Sequence, residues 1–215
     1  MPVPLNMEGT VSFAQTHGAD ALAVLKHCHH FVAENARTAR RMLATLGLGK
    51  PIAELNIIEI PRDPKPQDWL QLLAPALEGH SLILMSEAGC PAVADPGALL
   101  VRAAYAAGVT VVPHVGPSSL LLALMASGMS GQSFVFVGYV PQDANARKLR
   151  LAELEQRSKL EAQTQIMIET PYRNIALVEA VLSTCKGSTQ LGIHLDLTLA
   201  SAFNQSKTVA AWKGK

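Results

Sequence analysis

Short apolar runs of four or five residues alternate with longer amphipathic or charged stretches along the whole chain, and this rhythm narrows the fold more than any other feature. The runs 30–33, 56–60, 81–85, 109–112, 134–137, 165–168 and 191–195 read as strands, being rich in β-branched and aliphatic residues and too short for helices. Between them, 19–26, 35–46, 66–77, 98–107, 117–126, 143–160 and 173–184 read as helices. Gly47 and Gly49 are the C-terminal breakers of the second helix. Pro66 lies near the first turn of the third, where a missing N–H costs nothing, and Pro75 is expected to cut that helix short. Strands alternating with helices predict an α/β protein with largely parallel sheets. Strand runs apolar on both parities fit sheets covered on both faces. The loop His114-Val115-Gly116-Pro117 lies near the middle, so two α/β domains are expected, 1–115 and 116–215.

Composition removes several function classes. With 215 residues the chain can bury a real core. A net charge of +1 gives no global signal for nucleic acid and leaves only local basic stretches. The three cysteines, Cys28, Cys90 and Cys185, are odd in number and widely spaced, which predicts no disulfide framework and a reducing cytoplasm. Residues 1–9 lack the basic and apolar regions of a secretory signal. The longest apolar stretch, near 120–125, is far short of the ~20 residues that span a bilayer, so no membrane partner is expected. His27-Cys28-His29-His30 resembles a metal cluster, but contiguous residues cannot all face one ion, and no metal is expected. Gly47-Leu48-Gly49-Lys50 fails as a phosphate loop because Ala44 stands where glycine is needed and Pro51 replaces Ser or Thr.

In open α/β sheets, ligands sit at the carboxyl ends of strands, so the loops that follow strands carry the chemistry. The most unusual is Ser86-Glu87-Ala88-Gly89-Cys90-Pro91-Ala92-Val93-Ala94-Asp95-Pro96-Gly97. Most such connections have only ~2–6 residues, and this one is built of glycine, proline and small side chains that let a ligand approach the main chain. Gly116-Pro117-Ser118-Ser119 opens a helix, either as a binding turn or as a plain N-cap. Glu169-Thr170-Pro171-Tyr172-Arg173 is a third strand-end segment, read equally as a strand-to-helix turn.

Taken in order, these three loops, with Ala126-Ser127-Gly128 following the second, resemble the tetrapyrrole methylase superfamily, and within it the 16S rRNA ribose 2′-O-methyltransferases. Glu34-Asn35-Ala36-Arg37-Thr38 is similar to that branch's Glu-Asp-Thr-Arg segment. The resemblance extends from about Pro2 to about Trp212. It implies two α/β domains with a cofactor cleft between them, a homodimer, and S-adenosylmethionine held largely by main-chain groups. It implies that Gly89, Cys90 and Val93 line the cofactor from the N-terminal domain, Ser118 and Ser119 from the inter-domain loop, and Ile168, Glu169 and Leu195 from the C-terminal domain. It offers Glu34 as the group that takes the proton of a ribose hydroxyl, against the plain reading of a carboxylate near a helix N-terminus.

The chain departs from the pattern in places. Met1-Pro2-Val3-Pro4-Leu5 looks like only the end of the family's first strand, the Glu-Asp pair becomes Glu34-Asn35, the His of the last turn becomes Tyr172, and Leu-Thr-Lys becomes Leu197-Thr198-Leu199. These changes weaken the transfer of an RNA substrate more than that of the cofactor. A tetrapyrrole or other small-molecule methylase and a non-catalytic member that binds only cofactor or a partner therefore stand as alternatives. Arg37, Arg40 and Arg41 share one helix, and Arg147, Lys148 and Arg150 begin another; each set reads as RNA phosphate contacts or as solvated surface.

Overall fold

Three parallel strands, β1 (His30–Ala33), β2 (Asn56–Glu59) and β3 (Leu82–Met85), form a sheet in the order β2-β1-β3. His30 is level with Asn56 and Leu82, and Ala33 with Glu59 and Met85, so all three strands end in one row. The two-residue period of a strand splits the apolar side chains between two cores. Phe31, Ala33, Ile57, Ile83 and Met85 join one core, and Val32, Ile58, Ile60, Leu82 and Leu84 the other. The computed structural model describes residues 1–6, 13–18 and 20–214. The chain divides into two compact units, Met1–Ser118 with Thr198–Ala200, and Ser119–Leu197 with Ser201–Lys215.

In the first unit, α1 (Phe13–Thr16), α2 (Ala21–His27) and α3 (Ala36–Thr45) supply the first core with Phe13, Leu25, Ala39, Met42 and Leu43. The second core is covered by α4 (Pro66–Leu72) and α6 (Ala98–Ala106), through Trp69, Leu72, Leu100 and Ala104, and α5 (Ala74–Leu77) follows α4. Each fully buried aliphatic or aromatic side chain contributes on the order of 1.5–3 kcal/mol.

The second unit holds α7 (Ser119–Ser127), β4 (Phe134–Gly138), α8 (Ala144–Glu161), β5 (Thr164–Met167), α9 (Asn174–Thr184), β6 (Gln190–Leu195), β7 (Phe203–Thr208) and α10 (Val209–Lys213). β4 and β5 pair in parallel, with an irregularity between Phe136 and Gly138; β6 and β7 pair antiparallel. Its core gathers Val140, Leu151, Leu154, Ala180, Val181 and Val209. The indole of Trp212 donates to the Leu191 carbonyl at 3.0 Å and ties α10 to β6.

The α/β class with parallel sheets is as expected, and three elements differ. The run 109–112 is not a strand. Val109 donates its N–H back to Ala104 at 2.9 Å, and Val109 and Val111 pack on the second core, but no ladder forms beside them. Their β-branched character fits a strand only where a neighbour strand takes up the backbone groups. The helix expected over 66–77 is two, broken at Leu73, because Pro75 has no N–H to give and stands in the first turn of α5. β7 was not anticipated, and it makes the last pair antiparallel. Ala19, the expected start of the first helix, and residues 7–9 lie outside the described residues.

Candidate functional site

The carboxyl ends of β1, β2 and β3 bring Glu34, Glu59 and the loop 86–97 to one edge of the first unit. Glu34 is held at its backbone, which donates to the Met85 carbonyl at 3.1 Å. Its side-chain Oε2 accepts the Glu87 N–H at 3.1 Å. The Glu87 carboxylate in turn accepts the Thr38 hydroxyl at 2.8 Å, which fastens the loop to α3. The first turn of α3 has its own partners: Asn35 Oδ1 accepts from Thr38 N at 3.0 Å, and Glu59 Oε2 accepts from Ala36 N at 2.8 Å. Asn35, not Glu34, is therefore the N-cap.

The loop itself is unusual in its backbone. Gly89, Ala92, Ala94 and Gly97 all have positive φ, at 70°, 65°, 68° and 133°. Left-handed alanines are costly and concentrate where function requires a fixed backbone. Gly89 exchanges hydrogen bonds with Val3 at 2.8 and 3.2 Å, and a Cβ on it would stand 3.2 Å from the Leu5 side chain. Ser86 Oγ donates to the carbonyls of Ala88 and Gly89. The Cys90 thiol donates to the Pro117 carbonyl at 3.4 Å, and burial pushes it up, so it stays a neutral donor. Val93 is 45% exposed. Asp95 is pushed up to about 6, by burial first and then by the neighbouring carboxylates of Glu34 and Glu87. Asp95 therefore holds its proton more readily than a free carboxyl group does.

In the second unit, Ser119, Ile168, Glu169 and Leu195 line one open groove of about 1790 Å³, larger than the ~300–1,000 Å³ of a single small-molecule site. Ser119 begins α7, and Ile168 follows β5, with its N–H bonded to the Gly138 carbonyl at 3.2 Å. Glu169 is the best-held of the group. Its Oε1 accepts from Thr170 N and from Arg173 Nε, each at 2.8 Å, and its side chain is only 5% exposed. Arg173 also lies over the rings of Tyr139 and Tyr172, at 6.0 and 5.6 Å. Glu169 thus locks the turn Glu169-Thr170-Pro171-Tyr172-Arg173, which the Arg173 N–H also closes on the Thr170 carbonyl at 2.9 Å.

Gly89, Cys90 and Val93 lie on the loop 86–97, which meets Glu34 through the Glu87 N–H. Ser118 ends that unit, and its hydroxyl has no hydrogen-bond partner among the described residues. Sequence reasoning passed over Thr38, Glu59, Glu87 and Asp95. The signal was present: Glu59 ends a predicted strand, and both Glu87 and Asp95 lie within the loop singled out, where like charges must meet. Among the described residues no group of three or more His, Cys, Asp or Glu side chains is placed to hold a metal ion, and no helix is long and apolar enough to cross a membrane.

No family model matches the chain. It is 36% identical over 172 residues to a ribosomal RNA small subunit methyltransferase I of Xylella fastidiosa, covering 79% of this chain and 59% of that protein. It is 31% identical over 199 residues to the protein of the same name from Vibrio cholerae, covering 92% of this chain and 64% of that one. The chain thus spans about three-fifths of the length of these relatives. The fold is similar to that of the methyltransferase CobJ, with a TM-score of 0.61 at 15% identity over 93% of this chain and 83% of that one. By sequence the chain is thus similar to ribosomal RNA small subunit methyltransferases I, and by fold to the methyltransferase CobJ.

Proposed function

We propose that this chain is an S-adenosylmethionine-dependent methyltransferase that methylates a ribose 2′-hydroxyl of small-subunit ribosomal RNA, working as a homodimer in the cytoplasm. The single observation that carries the reading is the sequence relation to ribosomal RNA small subunit methyltransferases I over 79–92% of the chain. The loop 86–97 supports it: small residues and fixed left-handed positions let a ligand approach the backbone closely, and the space beside Gly89 is already tight against Leu5. When bound, the cofactor supplies an activated methyl group, which leaves binding, orientation and proton handling to the protein.

Gly89, Cys90 and Val93 line the cofactor, Ser118 and Ser119 meet it with hydroxyls, and Ile168, Glu169 and Leu195 with the backbone and apolar surface around two strand ends. Glu34 takes the proton of the acceptor hydroxyl. One of its oxygens is fixed by the Glu87 N–H and the other remains for the substrate.

Calorimetric titration with S-adenosylmethionine tests the cofactor half of the reading. Micromolar binding that Gly89→Arg abolishes is the expected result; no binding by a folded wild-type protein overturns it. Methylation of deproteinised 16S rRNA, read as alkali-resistant linkages, tests the acceptor, and a protein that methylates only tetrapyrroles excludes the RNA reading. Glu34→Gln is expected to lower kcat by about 10²-fold or more with cofactor affinity kept. An unchanged kcat removes Glu34 from the chemistry.

A further inference from the structure

The two basic runs that look alike in sequence are not alike in the structure. On α8, Arg150 pairs with Glu153 at 2.7 Å, and Arg147 donates to the Gln142 carbonyl at 3.2 Å; both are half-buried. Both arginines of that set are thus engaged within their own helix and the turn before it, and only Lys148 is exposed. On α3, Arg37, Arg40 and Arg41 are all exposed, and no carboxylate or other partner among the described residues meets any of them.

Their spacing places them together. Positions i, i+3 and i+4 share one helix face, and a rise of ~1.5 Å per residue spreads the three over about 6 Å. The opposite face of α3 is the buried one, through Ala36, Ala39, Met42 and Leu43, so the arginines are turned squarely to solvent. Arg37 and Arg41 are like charges at i, i+4, an arrangement that destabilises a helix unless an anion lies over it. Glu59, the carboxylate at the helix N-terminus, is bonded to Ala36 N and makes no ion pair with any of the three.

The face is also joined to the candidate site. α3 starts two residues after Glu34, and Thr38, between Arg37 and the rest of the set, is bonded to Glu87 of the loop. A polyanion lying along the arginines would therefore have one end at Glu34.

We propose that Arg37, Arg40 and Arg41 form a phosphate clamp that lays the RNA backbone along α3 and directs it to the Glu34 edge. The proposal rests on the RNA reading given above. Guanidinium groups with no internal partner match phosphate oxygens in charge and in hydrogen-bond geometry. An RNA strand, unlike an isolated anion, supplies several phosphates in a row to a row of cations.

The test is the salt dependence of binding to deproteinised 16S rRNA, measured between about 50 and about 200 mM KCl. Wild type is compared with the triple variant Arg37→Gln/Arg40→Gln/Arg41→Gln and with the triple Lys variant. Three lost phosphate contacts should flatten the slope of log K against log salt by about 2, at ~0.7 per contact on single strands. The Lys variant should keep most of the wild-type slope. S-adenosylmethionine binding should be the same in all three proteins. Arg41→Gln alone, expected to flatten the slope by about 0.7, serves if the triple variant does not fold. Equal slopes in wild type and the Gln variants overturn the clamp and leave the methyltransferase reading intact; this is also what a clamp for an acidic protein would give. A wild type that binds S-adenosylmethionine but shows no salt-sensitive RNA binding overturns the clamp together with the RNA acceptor.

Discussion

Asp95 shows how a single carboxyl group carries the strain of its surroundings. It is half-buried in the loop 86–97 with Glu34 and Glu87 as neighbours, and its carboxyl is pushed from 3.8 up to about 6. The folded state therefore holds a proton that the unfolded chain releases between about pH 4 and pH 6. The sign follows: stability is greatest below the unfolded value and is lost as pH rises through the folded one. Asp95→Asn removes that penalty without changing shape. The variant should melt above wild type at pH 8, by an amount worth about 1 kcal/mol once solvent screening is discounted, and the gap should close by pH 4. Calorimetric melting from pH 4 to pH 8 reads this directly, and identical melting temperatures at pH 8 would mean that Asp95 is not strained. The sequence places Glu87 and Asp95 in one loop, but the approach of Glu34 was not visible there, since Asp95 and Glu34 are far apart in the chain. Only the shared strand register brings them to one edge.

At the scale of elements, α3 follows local rules throughout. Asn35 caps it, the buried residues recur at helical spacing, and Gly47 and Gly49 take the positive φ values of 60° and 75° that end it. Asn35→Ala removes the side-chain acceptor for Thr38 N and should cost about 1 kcal/mol, measured by denaturant unfolding; Asn35→Asp should keep the cap. A loss as large for Asn35→Asp would mean that the amide, not the cap, matters. Such elements are legible in sequence because their signals lie within a few residues of each other. The misread ones depend on partners distant in sequence. The run 109–112 has the residues of a strand and lacks a strand to pair with. β7, Phe203-Asn204-Gln205-Ser206-Lys207-Thr208, has few β-formers and becomes a strand because β6 lies opposite, with Leu195 against Phe203 and Gln190 against Thr208. The loop 86–97 stood out for its length and composition, yet the positive φ of Ala92 and Ala94 could not be read from residues that ordinarily avoid it.

Across the whole molecule the two units differ in how they spend their apolar residues. The first buries its strands between two cores. The second has a single core of six buried residues and leaves α7 open: of Ser119-Leu120-Leu121-Leu122-Ala123-Leu124-Met125-Ala126-Ser127 only Ser127 is buried. α7 packs on β6 and β7, yet Leu121 remains 52% and Met125 79% exposed. A helix that is apolar on every face is normally buried on every face. A second copy of the chain is the simplest cover, since a two-fold interface presents the same apolar helix to itself. The proposed homodimer therefore makes a definite prediction about α7. Wild type should sediment at twice the monomer mass, and Leu121→Glu/Met125→Glu should sediment as a monomer with its far-ultraviolet dichroism unchanged, because both side chains are already outside the core. A wild-type monomer would refute the dimer. A variant that stays dimeric would keep the dimer and move its interface away from α7, to other exposed apolar residues of the second unit such as Leu149, Leu160 and Ile175.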